Sequence, residues 1–176
     1  MRYLLSTLLL WSMLSLGYTS PLSAQYYDQT FGLRAGTSVE LSYKRFFFYT
    51  PKPQQALEVL LGVQIDENIY FPGILYDEPF NNGYVLEALW VFHLDIGFDT
   101  NFSAYAGAGG YAGVYTETGR SAFFGGGFTA VLGIEHTFSH APISVGLDWK
   151  PILGYPRFSL ARGAVSLRYI IPTTWQ

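Results

Sequence analysis

Side chains able to do chemistry are sparse in this chain, and the densest set lies on segments of period two. Arg34, Glu40, Lys44, Glu58, Glu87, Asp148, Lys150 and Arg168 fall on faces opposite runs of apolar residues. The stretch ISVGLDWKP shows the pattern. Ile143, Val145, Leu147 and Trp149 alternate with Ser144, Gly146, Asp148 and Lys150, as in a strand with one apolar and one polar face. Charges of both signs on such faces either pair with one another or line an ion path. Pairing is the expectation, because an unpaired charge in a narrow interior costs several kcal/mol.

Covalent and metal chemistry find less support. The histidines are His93, His136 and His140, and there is no cysteine. His136, Ser139 and His140 approach a Ser-His pair, but they fall at an expected turn. Glu135, adjacent to His136, points to the opposite strand face, so nucleophile, base and orienting acid are not brought together. The run Gly107 to Gly113 has no following helix and no closing Lys-Ser/Thr. It reads as close strand packing with a bulge at Gly109-Gly110 rather than a phosphate cradle. No catalytic residue, cofactor or metal site is assigned, and the chain is not expected to be an enzyme.

The elements that must hold the charged residues follow from composition and periodicity. In 176 residues, 13% are charged and 18% aromatic, with a formal net charge of −3. Soluble domains carry about 25% charge, and a net negative chain is a poor partner for nucleic acid. Residues 1–24 read as a secretory signal: Arg2, a Leu-rich apolar core from Tyr3 to Leu16, then small residues ending at Ala24. The mature domain is then 25–176, one domain without disulfides, which a closed hydrogen-bonded barrel could stabilise.

Eight strands are marked in it: Gln29–Ala35, Ser38–Phe47, Ala56–Asp66, Tyr84–Asp95, Phe102–Tyr115, Phe128–Phe138, Pro142–Lys150 and Arg162–Ile171. Mostly longer connections fall on one side, at Glu67 to Asn82, Glu117 to Gly127 and Ile152 to Ala161, and shorter ones on the other. The aromatics Tyr43, Phe46, Phe47, Phe48, Tyr49, Phe92, Phe102, Phe138, Tyr169 and Trp175 gather at the short-turn side, as an interfacial girdle would. A water-soluble barrel would bury the apolar faces and expose the charges, whereas a membrane barrel reverses them.

The segments FGLRAG, VELSYKRFF, ALEVLLGVQ, ALWVFHLDIG, SAYAGAGGYAGVY, AVLGIEHTF, PISVGLDWKP and AVSLRYI, in this order, resemble the small eight-stranded outer-membrane β-barrel proteins of Gram-negative bacteria, of the OmpA/OmpX-like architecture. The chain departs from that pattern in continuing past Ile171 with Pro172 to Gln176. The resemblance implies an all-β, eight-stranded antiparallel up-and-down transmembrane barrel closed between its first and last strands. It also implies a monomer in the outer membrane, a filled interior without a pore, lipid as its surroundings, and the barrel-assembly machinery as partner during insertion. Its role is then structural, or one of surface interaction through the exposed loops. Two alternatives stand beside it: a secreted lipocalin-like ligand-binding barrel, and an enzyme that modifies lipid A, as some barrels of this size do. On the membrane reading, Ile143, Val145, Leu147 and Trp149 face lipid, and Asp148 and Lys150 face inward near Arg168.

Overall fold

A computed structural model describes residues 28–48, 54–65, 82–96, 101–116, 121–156, 158–160 and 162–171. The expected signal segment, Tyr49, Trp175, the tail after Ile171 and most of the Glu67 to Asn82 connection lie outside them. Every regular element among the described residues is a strand: β1 (Gln29–Gly36), β2 (Ser38–Phe48), β3 (Gln54–Ile65), β4 (Asn82–Asp95), β5 (Phe102–Thr116), β6 (Phe123–Thr137), β7 (Ile143–Trp149), β8 (Ile152–Tyr155), β9 (Phe158–Ser159) and β10 (Gly163–Ile171). Alternation of β-branched, aromatic and leucine side chains with small or polar ones favours a pleated ladder over a helix throughout.

All pairings are antiparallel, and they run without a gap around a closed wall. β1 to β6 pair in sequence, β6 pairs β7, β7 pairs β10, and β10 returns to β1. β8 continues the seventh wall strand: Leu132 opposite Trp149 and Thr129 opposite Ile152 belong to one register on β6. The wall is therefore eight-stranded, with the short β8–β9 hairpin rising from its rim.

Closure imposes a stagger. From Gly32, partners followed through Ser42, Leu60, Glu87 and Tyr111 reach Gly127 on β6; followed through Arg168 and Ser144 they reach Thr137, ten residues along the same strand. With eight strands this corresponds to a tilt of roughly 40° and a radius of about 8 Å, an interior that side chains can fill.

Three expectations require correction. No bulge occurs at Gly109-Gly110: Leu89 and Ala88 face them on one side and Thr129 and Phe128 on the other in unbroken register. The irregularity lies instead between Phe46 and Phe48 on β2. The Glu117 to Gly127 connection is shorter than expected, because Gly125, Gly126 and Gly127 pair with Gly113, Ala112 and Tyr111 and extend β6 upward. Glycine is a poor strand former in isolation, but here it is required by its neighbours. A Cβ on Gly125 would lie 2.8 Å from the Tyr115 ring. Likewise, Ile152 to Ala161 contains β8 and β9 rather than a plain loop.

Candidate functional site

The two faces of each strand differ sharply. Inward positions carry Arg34 on β1, Glu40 and Lys44 on β2, Glu58 on β3, Glu87 on β4 and Arg168 on β10, with Asp148 on β7 and Lys150 just beyond it, all buried. The eight residues singled out from the sequence are thus together inside the barrel. Two further members were missed: Glu135 on β6 and Arg162, which adjoins β10, are also buried there. The signal for Glu135 was available, since it shares a strand face with Val131 and Gly133. Arg162 stands at a strand start, where alternation does not assign a face.

These ten groups form two clusters. Toward the long-loop end, Arg34 meets Glu40 at 2.9 Å and Asp148 at 2.5 Å, and Lys150 meets Glu40 at 2.9 Å and Glu87 at 2.5 Å. Arg162 lies 3.4 Å from Glu40 and 3.7 Å from Glu87, and also donates to Thr37 and Ser38. Toward the short-turn end, Lys44 lies 3.6 Å from Glu58 and 3.4 Å from Glu135, and Arg168 lies 3.0 Å and 3.2 Å from the same two carboxylates. Ser42 donates to Glu58, and Ser144 to Glu135. The first cluster sets Arg34, Lys150 and Arg162 against Glu40, Glu87 and Asp148; the second sets Lys44 and Arg168 against Glu58 and Glu135. Each is neutral by itself.

Asp148 does not pair with Arg168, as its neighbouring strand suggested. Asp148 faces Ala164 across the ladder and Arg168 faces Ser144, so the tilt carries the two charges into different clusters. Tyr105 stands between the clusters: its hydroxyl donates to Asp148 at 3.1 Å, and Lys44 sits 4.7 Å from its ring centroid. His93 stacks on the same ring at 5.1 Å and lies 3.3 Å from the Lys44 ammonium. Its Nε2 therefore accepts, because an ammonium has no acceptor to offer.

The outer wall is the converse. Among the described outward strand positions, the one charged side chain is Arg45, whose guanidinium lies 5.7 Å from the Phe47 ring. Leu33, Leu41, Leu61, Leu86, Leu132, Leu147, Val165 and Leu167 form an exposed aliphatic belt. Tyr43, Phe47, Phe92, Phe102, Phe138 and Tyr169 flank it at the short-turn end, and Tyr84, Phe124, Phe128 and Tyr155 at the other. Phe128 on β6 and Phe138 just past its end mark the two bands, ten residues apart, or about 25 Å along the axis at this tilt. Ile143, Val145, Leu147 and Trp149 lie on this wall. Phe46, expected in the girdle, is a correction. It is 5% exposed and points inward, its ring edge-on to His93 at 5.1 Å, because the irregularity after it leaves Phe47 outside.

The apparent Ser-His pair is a surface contact. Ser139 Oγ lies 2.8 Å from His140 Nδ1 at an exposed turn, while His136 lies on the outer wall between Phe102 and Phe138. Neither ring has a carboxylate partner among the described residues. Nor do these residues hold a group of three or more His, Cys, Asp or Glu able to hold a metal.

Fold and site together define a closed eight-stranded antiparallel barrel with two neutral clusters of buried charge inside and an exposed apolar belt outside. No protein-family model, curated protein or solved structure matches the chain.

Proposed function

We propose that the protein is an integral outer-membrane barrel, monomeric and without a pore, that acts as a structural element or as a scaffold presenting its long connections at the cell surface. The observation that carries this reading is the outer wall, where Arg45 is the one charged side chain on the described outward strand positions, beside an aromatic ring at one edge of the belt. In water such a belt is a large exposed apolar surface. In a bilayer it meets the requirement for a band about 25 Å tall, edged by aromatic girdles. The two self-neutral clusters support a closed interior, since each charge in them stands within ion-pair distance of an opposite one. A lipocalin-like binder would instead need an apolar cavity inside, where this barrel packs ion pairs.

Unboiled and boiled samples on a detergent gel test the reading. The folded barrel should migrate apart from the heat-unfolded chain, and a stable monomer in buffer without detergent would contradict it. Lipid A profiles from cells with and without the protein should be the same; a changed acylation pattern would favour the lipid-modifying alternative.

A further inference from the structure

The irregularity on β2 has a consequence on the outer wall. An extra residue stands between Phe46 and Phe48, whose partners Ala56 and Gln55 are consecutive on β3, and a bulge of this kind re-aims the side chain it carries. Phe47 is thereby turned outward, where its ring stacks on Trp90 at 5.8 Å with the planes 1° from parallel and lies 5.7 Å from the Arg45 guanidinium. A guanidinium held against an aromatic ring keeps its N–H fork for other acceptors. Arg45 is exposed and belongs to neither interior ion cluster.

Two amides flank this cation. Gln29 pairs with Arg45 across the β1–β2 ladder, and Gln55 lies on β3 opposite Phe48. Each has its carbonyl oxygen engaged by an aromatic donor: the Tyr43 hydroxyl donates to Gln29 Oε1 at 3.1 Å, and Trp90 Nε1 to Gln55 Oε1 at 3.3 Å. An indole N–H can only donate, so the Gln55 amide is oriented with its NH2 group as the remaining polar end. The Gln29 amide is turned the same way. One guanidinium and two amide NH2 groups form a donor set with a positive charge, the complement of phosphate oxygens.

We propose that Arg45, Gln29 and Gln55 bind the phosphodiester of one phospholipid headgroup at the short-turn edge of the apolar belt. The inference rests on the membrane reading above, which puts these aromatic neighbours at headgroup depth. Free phosphate is the poorer match. Phe47, Trp90 and Leu57, which pairs with both Arg45 and Trp90, present apolar surface beside the donors that only a ligand with acyl chains covers.

Native mass spectrometry of the delipidated protein in detergent, titrated with palmitoyl-oleoyl phosphatidylglycerol, tests this. The unaltered chain should give a saturable single-lipid adduct, as should Phe128→Leu in the opposite aromatic band. Arg45→Gln should weaken binding by about tenfold or more, and Gln55→Leu independently by about threefold, as the loss of hydrogen bonds to a charged group implies. Diacylglycerol with the same chains but no phosphate should give no adduct, and inorganic phosphate in large excess should not displace the phospholipid. Heat-shifted migration on a detergent gel establishes that each variant is folded, and its absence in the unaltered chain would remove the membrane reading itself. With migration intact, unchanged affinity in both variants, an equal diacylglycerol adduct, displacement by inorganic phosphate, or no adduct at all each overturns the proposal.

Discussion

The two halves of the barrel wall fill the same narrow interior by different means. All five cations of the ion clusters stand on or beside β7, β10, β1 and β2: Arg34, Lys44, Lys150, Arg162 and Arg168. The inner face of β3 to β6 carries no cation among the described residues. It supplies Glu58, Glu87 and Glu135, an apolar cluster of Leu60, Leu89, Val91, Tyr105 and Val131, and tyrosines laid over glycines. A Cβ on Gly133 would lie 2.5 Å from Tyr105 Cζ, and one on Gly83 would lie 2.5 Å from Tyr115 Cδ1. One half is therefore filled by long flexible chains that find partners across the lumen, the other by rigid rings matched to absent side chains. The first half therefore depends on its paired charges, and the second on rings that a methyl group at Gly83 or Gly133 would displace.

The largest effect should come from breaking the link between halves. Glu135→Gln leaves Lys44 and Arg168 with Glu58 as their remaining ion partner. Removing one member of a buried ion pair costs about 3–5 kcal/mol, measurable by denaturant unfolding from lipid vesicles followed by tryptophan fluorescence. Adding Arg168→Leu to Glu135→Leu should recover part of the loss, and strict additivity of the two would contradict the pairing.

On the outer wall, Leu61→Arg should cost roughly 2–4 kcal/mol in the same assay, as expected for a cation near the bilayer midplane. A negligible change would place that face elsewhere than in lipid. Gly133→Ala follows, at about 1–3 kcal/mol, because the new methyl meets the Tyr105 ring and Asp148 Cβ at 2.8 Å.

The smallest effect sharpens the contrast. On the cation-bearing half, a Cβ on Gly146 would meet Ser166 Oγ at 2.6 Å, the end of a short side chain that can rotate, with Arg168 Nη1 at 3.1 Å and the Ile134 carbonyl oxygen at 3.3 Å. Gly146→Ala should therefore destabilise by less than about 1 kcal/mol. Equal costs at Gly133 and Gly146 would remove the distinction between the halves.

Much of this was legible in the residues, because a strand's period of two assigns a face to every side chain once its phase is known. That rule brought Arg34, Glu40, Lys44, Glu58, Glu87, Asp148, Lys150 and Arg168 inside. It could not name partners, since those depend on the ten-residue stagger, which is a property of closure and not of any one strand. Asp148 was for this reason joined to Arg168 when it bonds Arg34. Phe46 was misplaced because the irregularity beside it shifts the phase locally, and the glycine run before Phe128 hid a strand whose necessity lies in Tyr111 and Tyr115 on the neighbouring one.

If the apolar face of each strand meets lipid and the charged face points inward, accessibility must alternate along β7. The chain has no cysteine, so each introduced Cys carries a spin label at a single site. Labels scanned along Ser144 to Trp149 in lipid vesicles report collision with oxygen, which concentrates in the bilayer, and with a water-soluble nickel complex. Oxygen accessibility should peak at Val145, Leu147 and Trp149, with both reagents excluded at Ser144, Gly146 and Asp148. Nickel accessibility at Val145, Leu147 and Trp149 equal to that of a label in water would contradict it.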